Sequence, residues 1–148
     1  MKNGIRNNTM LNHQVFFKPA EITLRQSYVS PELLMSRLRD LIEQNFREER
    51  NPAFYSGALA YGLLSLNNVC REYTGLTVFM LVQERLAIEA ERLLVGTRLS
   101  AKQVAYELGF SDPAYFCRFF KKMRGKRPLE WRKGMEYSHF LRLVQTKI

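Results

Sequence analysis

Cysteine, histidine and tryptophan are scarce: the 148 residues hold two cysteines, two histidines and one tryptophan. Two cysteines make no disulfide framework, and Cys70 and Cys117 with His13 and His139 lack the spacing of a four-ligand zinc site. No metal and no cofactor is therefore expected. No stretch approaches the roughly 18 to 20 uninterrupted apolar residues of a membrane helix, and the N-terminal part lacks the short apolar core of a secretory signal. Those absences predict a cytoplasmic protein with no membrane partner. Nor is there a nucleophile–base pair, a paired carboxylate arrangement or a glycine-rich phosphate loop, so catalysis is not expected.

What is present is apolar and basic. With 46% hydrophobic and 25% charged residues, the chain can bury enough surface to offset the entropy of ordering it. The formal charge is +9, and its location says more than its sum. Residues 1–53 carry 8 basic and 6 acidic side chains, residues 54–99 carry 4 and 4, and residues 100–148 carry 11 and 4. The last third therefore holds most of the excess, a footprint suited to a nucleic-acid or anionic-membrane surface, or to a solvated basic face.

The apolar spacing is helical almost throughout. Residues 1–30 have no sustained period and read as a tail or linker, with one short strand near Ile22–Leu24 and an apolar spot at Val15–Phe17. From Pro31, with Ser30 as N-cap, Leu33, Leu34, Leu38, Leu41, Ile42 and Phe46 recur at spacings of three and four, predicting a helix to about Arg50. A short helix follows from Pro52 to Ala60. Another, striped by Leu66, Val69, Cys70 and Tyr73, stops at Gly75. Thr77–Val95 is the longest run, with Val78, Val82, Leu86, Ala90 and Leu93 or Leu94 inward and Glu84, Arg85, Glu89 and Arg92 outward. Ser100 and Gln103 form a capping box for a short helix ending at Leu108. Ser111 or Asp112 caps the next, whose buried face is Phe116, Phe119, Phe120 and Met123, and Pro128 leads into a last helix around Leu129–Trp131. The expected fold is all-α, with about seven helices.

Two helix pairs resemble each other. At an offset of 50, Leu66, Val69, Cys70, Arg71 and Gly75 meet Phe116, Phe119, Phe120, Lys121 and Gly125. Upstream, Tyr55, Ser56 and Leu59 meet Val104, Ala105 and Leu108. A short helix crossing a second one across a tight turn needs a small side chain at the crossing, and Ser56 and Ala105 supply it. Each unit reads as a helix-turn-helix.

The run from Arg85-Leu86 through Ala90-Glu91-Arg92-Leu93-Leu94, Leu99-Ser100, Val104-Ala105-Tyr106-Glu107-Leu108-Gly109-Phe110-Ser111-Asp112-Pro113-Ala114-Tyr115-Phe116, Arg118-Phe119-Phe120-Lys121-Lys122, Gly125, Pro128 and Trp131-Arg132-Lys133 closely resembles the AraC/XylS family DNA-binding domain. The match is dense over 85–133 and weaker over 52–75, where Arg71-Glu72-Tyr73-Thr74-Gly75 looks like the family's helix end. The resemblance implies two helix-turn-helix subdomains joined by a long helix, each placing a recognition helix in the major groove of promoter DNA, and a role in bacterial transcription control, usually activation. The chain then divides into a tail (1–30), a first subdomain (31–76), a linking helix (77–96), a second subdomain (97–133) and a C-terminal extension (134–148). A strut of about 19 residues spans roughly 28 Å, close to the roughly 34 Å repeat of grooves on one face of B-DNA.

In the second unit the stripe Phe116, Phe119, Phe120 leaves Pro113, Ala114, Cys117, Arg118 and Lys121 facing away from the core. A guanidinium matches guanine O6 and N7, so Arg118 is the first candidate for a base contact, with a phosphate contact or a salt bridge as its alternatives. Pro113 and Ala114 look like the rest of the family's reading surface. Arg71, Ser111, Lys121, Lys122, Arg124, Lys126 and Arg127 are candidates for phosphate contacts. In the first unit Asn67 or Asn68 suits adenine and Leu64 suits a thymine methyl. Gly62-Leu63-Leu64, however, departs from the family's polar or basic residues there. That departure leaves three readings open: leucines in the core, a weakly gripping head, or a protein-interaction surface through Leu63 and Leu64 for a partner such as RNA polymerase. Cys70 is expected to fill core, Cys117 to lie exposed beside DNA, and the two to be too far apart for a disulfide. The residues before Pro31 are too few for a sensor domain, which leaves a stand-alone regulator or the output end of a longer one, and no small-molecule site is evident. DNA binding would place the protein at the nucleoid.

Overall fold

The computed structural model describes residues 29–145, and within them the elements are seven helices and no strand. They are α1 (Pro31–Asn45), α2 (Pro52–Ala58), α3 (Leu63–Thr74), α4 (Val78–Gly96), α5 (Ala101–Glu107), α6 (Pro113–Arg124) and α7 (Pro128–Gln145). The short strand read near Ile22–Leu24, the spot at Val15–Phe17 and the rest of the tail before Val29 lie outside the described residues.

Local chemistry starts most of these helices. Side-chain oxygens of Ser30, Asn51, Thr77, Ser100 and Asp112 accept from backbone N–H groups of the first turns of α1, α2, α4, α5 and α6, satisfying donors that have no partner within the helix. Ser100 and Gln103 form the full reciprocal box. Of the two caps considered for α6, Asp112 is the one used, accepting from Ala114 at 2.8 Å and Tyr115 at 3.1 Å. The first helix ends at Asn45 rather than near Arg50, because residues 46–48 turn away so that Arg47–Arg50 can cross to the second unit. The last helix is much longer than the sequence suggested. It crosses Gly134 and takes in most of the extension.

α4 is the hub, packing against each of the other six helices. Its buried stripe is Val78, Val82, Leu86, Ala87, Ala90, Leu93 and Leu94. The first unit buries Leu34, Met35, Leu38, Ile42, Phe46, Tyr55, Leu66 and Cys70 against it, and the second buries Val104, Ala105, Leu108, Phe110, Phe116, Phe119 and Phe120. Leu33, counted on the α1 stripe, and Tyr73, counted on that of α3, are instead exposed, and the Tyr73 hydroxyl donates to Glu32 at 2.6 Å. In the second unit the rings interlock: Phe110 lies 5.3 Å from Phe116 and 5.2 Å from Phe119, and Trp131 meets Phe120 edge-on at 5.9 Å. Such pairs add about 0.5–1.5 kcal/mol each beyond simple burial.

The repeat read from sequence is a repeat in backbone geometry. Tyr61 donates to the Ser56 carbonyl at 2.9 Å and Ala60 to Gly57 at 3.0 Å, while Phe110 donates to Ala105 at 2.9 Å and Gly109 to Tyr106 at 3.0 Å. Both turns pass through a left-handed residue, Gly109 at φ 73° and Ala60 at φ 50°. Ala60 is strained there, since a Cβ in this conformation costs roughly 1–2 kcal/mol. α3 and α6 both end in a left-handed cap, at Gly75 and Gly125.

Candidate nucleic-acid interface

α6 presents its outward side as the sequence predicted. Ala114, Arg118 and Lys121 are exposed and Pro113 is half-buried, while Phe116, Phe119 and Phe120 face the core. The Arg118 side chain is 69% exposed. It lies 3.7 Å from the Asp112 carboxylate and 5.9 Å from the Tyr115 ring centre, a loose arrangement that costs about 0–1 kcal/mol to leave. Ser111, Lys121, Lys122, Lys126 and Arg127 are all exposed, Lys121 and Arg127 sharing one hollow with Arg118 and Lys122 another, and Arg71 is exposed on α3. Cys117 is half-buried rather than exposed, its neighbours around a shallow hollow including Pro128 and Leu129 at the start of α7. Burial pushes the Cys70 thiol up, and both cysteines are free.

Two candidate contacts are corrected. Arg124 is only 14% exposed and forks between two α4 carboxylates, Glu84 at 2.7 Å and Glu91. It fastens α6 to the strut and is spent on that task, so it does not offer a phosphate contact. Asn67 uses its carbonyl oxygen to accept from the Val78 N–H at 3.0 Å, holding the start of α4 against α3. Reading adenine bidentately needs that same oxygen to accept from N6, so Asn67 leaves the base-reading set. Asn68 is exposed, and Leu64 is 74% exposed with Leu63 beside it at 36%, which removes the reading of these leucines as core.

A third correction concerns α4. Glu89, placed outward from the sequence, is 4% exposed. Arg47 and Arg92 donate to its Oε1 at 2.8 Å, and Arg85 reaches Oε2 at 3.3 Å. These donors, Arg92 foremost, hold its carboxyl down at about 2 despite burial. Its position between Leu86 and Leu93 on the buried stripe was the available signal. Arg85 also pairs with Glu43 at 2.6 Å and lies over the Phe46 ring. Arg132, read as part of a basic flank, donates to the backbone carbonyls of Leu94, at 2.7 Å, and Leu99, closing the end of α4 against α7.

Two helix-turn-helix units packed on one long helix, with α3 and α6 each ending in a left-handed cap, define a paired helix-turn-helix protein. Residues 55–134 match the family model described as a helix-turn-helix domain. The chain belongs to this AraC/XylS-type helix-turn-helix family. It is 35% identical over 71 residues to the arabinose operon regulatory protein of Escherichia coli K12, covering 48% of this chain and 24% of that protein. With the transcriptional activator RhaS of Enterobacter sp. strain 638 it shares 28% identity over 104 residues, covering 70% of this chain and 37% of that protein. The chain thus spans well under two thirds of these relatives. Among solved structures, the DNA-binding domain of AdpA, determined in complex with a target DNA, superposes with a TM-score of 0.62 at 19% identity over 71% of this chain and 94% of that one. Within the described residues no helix is long and apolar enough to cross a membrane.

Proposed function

We propose that this chain is a sequence-specific, double-stranded-DNA-binding transcription regulator that acts by binding rather than catalysis, inserting α3 and α6 into successive major grooves of a promoter. The observation that carries the reading is α6: an exposed helix face with Arg118 and Lys121, followed by the exposed Lys122, Lys126 and Arg127, packed on a 19-residue helix that also carries a second such unit. Arg118, Ala114 and Pro113 read bases in the second head, and Asn68 and Leu64 in the first. Ser111, Lys121, Lys122, Lys126, Arg127 and Arg71 hold phosphates, fixing register without reading sequence. The subdomains follow residues 31–76 and 97–133, with α4 between them. The likeness to an activator favours activation, in the cytoplasm at the nucleoid, as the output part of a longer regulator of the kind its relatives represent.

The test is a pair of substitutions measured on a site selected from random DNA. Arg118→Ala lowers specific affinity by about 1–3 kcal/mol and relaxes preference at one base position, whereas Lys122→Ala weakens binding to all sequences and reduces the salt slope by about one. Equal binding of Arg118→Ala and the unaltered protein to that site removes Arg118 from the reading set.

A second reading attaches to the first head alone. Leu64 and Leu63 open α3 where a base-reading head carries polar groups, and an apolar pair at that exposure also suits a protein partner such as RNA polymerase. Leu64→Asp separates the two: loss of the first-head footprint assigns Leu64 to DNA, while intact DNA binding with lost activation assigns it to a protein.

A further inference from the structure

The two heads touch directly, at the turn that leads into α6, where Phe110 packs on Phe116 and Phe119. Arg50, in the loop between α1 and α2, reaches across to the second unit and donates to the Leu108 carbonyl at 2.7 Å, one of the carbonyls left unpaired at the end of α5. Its guanidinium lies over the Phe110 ring, 3.9 Å from the ring centre. Between these two residues sits Gly109, so close to the first unit that a Cβ there would meet the Arg47 carbonyl oxygen at 2.6 Å. The same loop is anchored from behind, because Arg47 donates to the buried Glu89 of α4 at 2.8 Å. The turn of the second reading head is thereby gripped by backbone and side chain of the first.

We infer that this contact is a brace, with Arg50 its central positioning residue, which stops the second head rotating about α4 and so fixes the half-site spacing the protein accepts. Adding or removing one base pair moves the second groove by about 3.4 Å along the axis and by roughly 34–36° around it. Arg124 and Arg132 tie the second head to α4 but not to the first head, so without a direct tie between the heads the pair can turn to follow such a change. A pair locked at Leu108–Phe110 cannot, and loses one head's contacts.

This inference rests on the DNA-binding reading for its consequence but not for its structural claim, so it is tested in two arms. In the first, backbone residual dipolar couplings are collected without DNA from α3 and α6 of the unaltered protein, Arg50→Ala and Arg50→Lys. One alignment tensor fits both heads of the unaltered protein, and two are needed for Arg50→Ala. Arg50→Lys keeps a donor for Leu108 but has no plane to lay on Phe110, and gives an intermediate result. It also decides the matter should Arg50→Ala lose its helical circular dichroism. In the second arm, binding is titrated on a site selected from random DNA and on versions lengthened or shortened by one base pair between half-sites. The unaltered protein loses about 30- to 100-fold or more at either altered spacing, the contribution of roughly two base pairs. Arg50→Ala loses under about 5-fold. A single tensor for both heads in the Arg50 variants, or an unchanged spacing penalty, overturns the brace. If no DNA is selected at all, the functional reading fails while the couplings still decide the structural one.

Discussion

Replacing Glu89 by glutamine removes a charge but little volume, and so isolates the electrostatics where α1 meets α4. Folding holds this carboxyl at about 2 against an ordinary 4.5, through hydrogen bonds from Arg92, Arg47 and Arg85 that outweigh the cost of burial. At 1.36 kcal/mol per unit, that difference corresponds to about 3 kcal/mol of stability at neutral pH. Because the folded value lies below the unfolded one, the contribution is complete above about 4.5 and is lost as the pH falls from there towards about 2. By pH 3.5 about 1 kcal/mol of it is gone. Urea unfolding followed by far-ultraviolet circular dichroism should therefore show Glu89→Gln less stable by about 3 kcal/mol at pH 7, with the gap narrowing to about 2 kcal/mol at pH 3.5. The other carboxylates titrate in both proteins and cancel in the comparison. A gap below about 0.5 kcal/mol at pH 7, or one that does not narrow on acidification, would refute the assignment of Glu89 as a charged anchor.

The strained turn gives two opposite substitutions at equivalent positions. Ala60→Gly relieves a left-handed alanine and should raise stability by about 0.5–1 kcal/mol in the same urea assay. Gly109→Ala imposes that strain and drives a methyl into the Arg47 carbonyl, costing about 2–4 kcal/mol. Arg124→Gln should lower stability by about 1–3 kcal/mol while leaving the salt dependence of DNA binding unchanged, in contrast to Lys122→Ala. A flattened salt slope for Arg124→Gln would return that residue to the phosphate set.

The parts of the fold that were legible in the sequence are those written in local spacing. The three- and four-residue periods, the caps at Ser30 and Ser100, and the doubled pattern ending at Gly75 and Gly125 all act within a few residues. The charged residues were harder. Arg124 and Arg132 find their partners tens of residues away, as Glu89 does in Arg47, and a reading by helical phase sends each to solvent by default. Glu89 was recoverable, since it sits on the stripe of Val82, Leu86 and Leu93 with Arg85 and Arg92 one turn to either side. Arg50 had no such signal, because its partners are a backbone carbonyl and a ring 58 and 60 residues further on. Asn67 was misassigned for the same reason: nothing near it reveals that the chain returns to place the Val78 N–H on its side-chain oxygen.

The central claim is that one copy of this chain engages two successive major grooves. Hydroxyl-radical footprinting on a selected site, combined with the stoichiometry of the complex from sedimentation, tests it most directly. One copy per site, protecting two patches about 10 base pairs apart within roughly 20 base pairs, is the predicted result. Protection confined to a single groove, or two grooves covered only when two copies are bound, would contradict it.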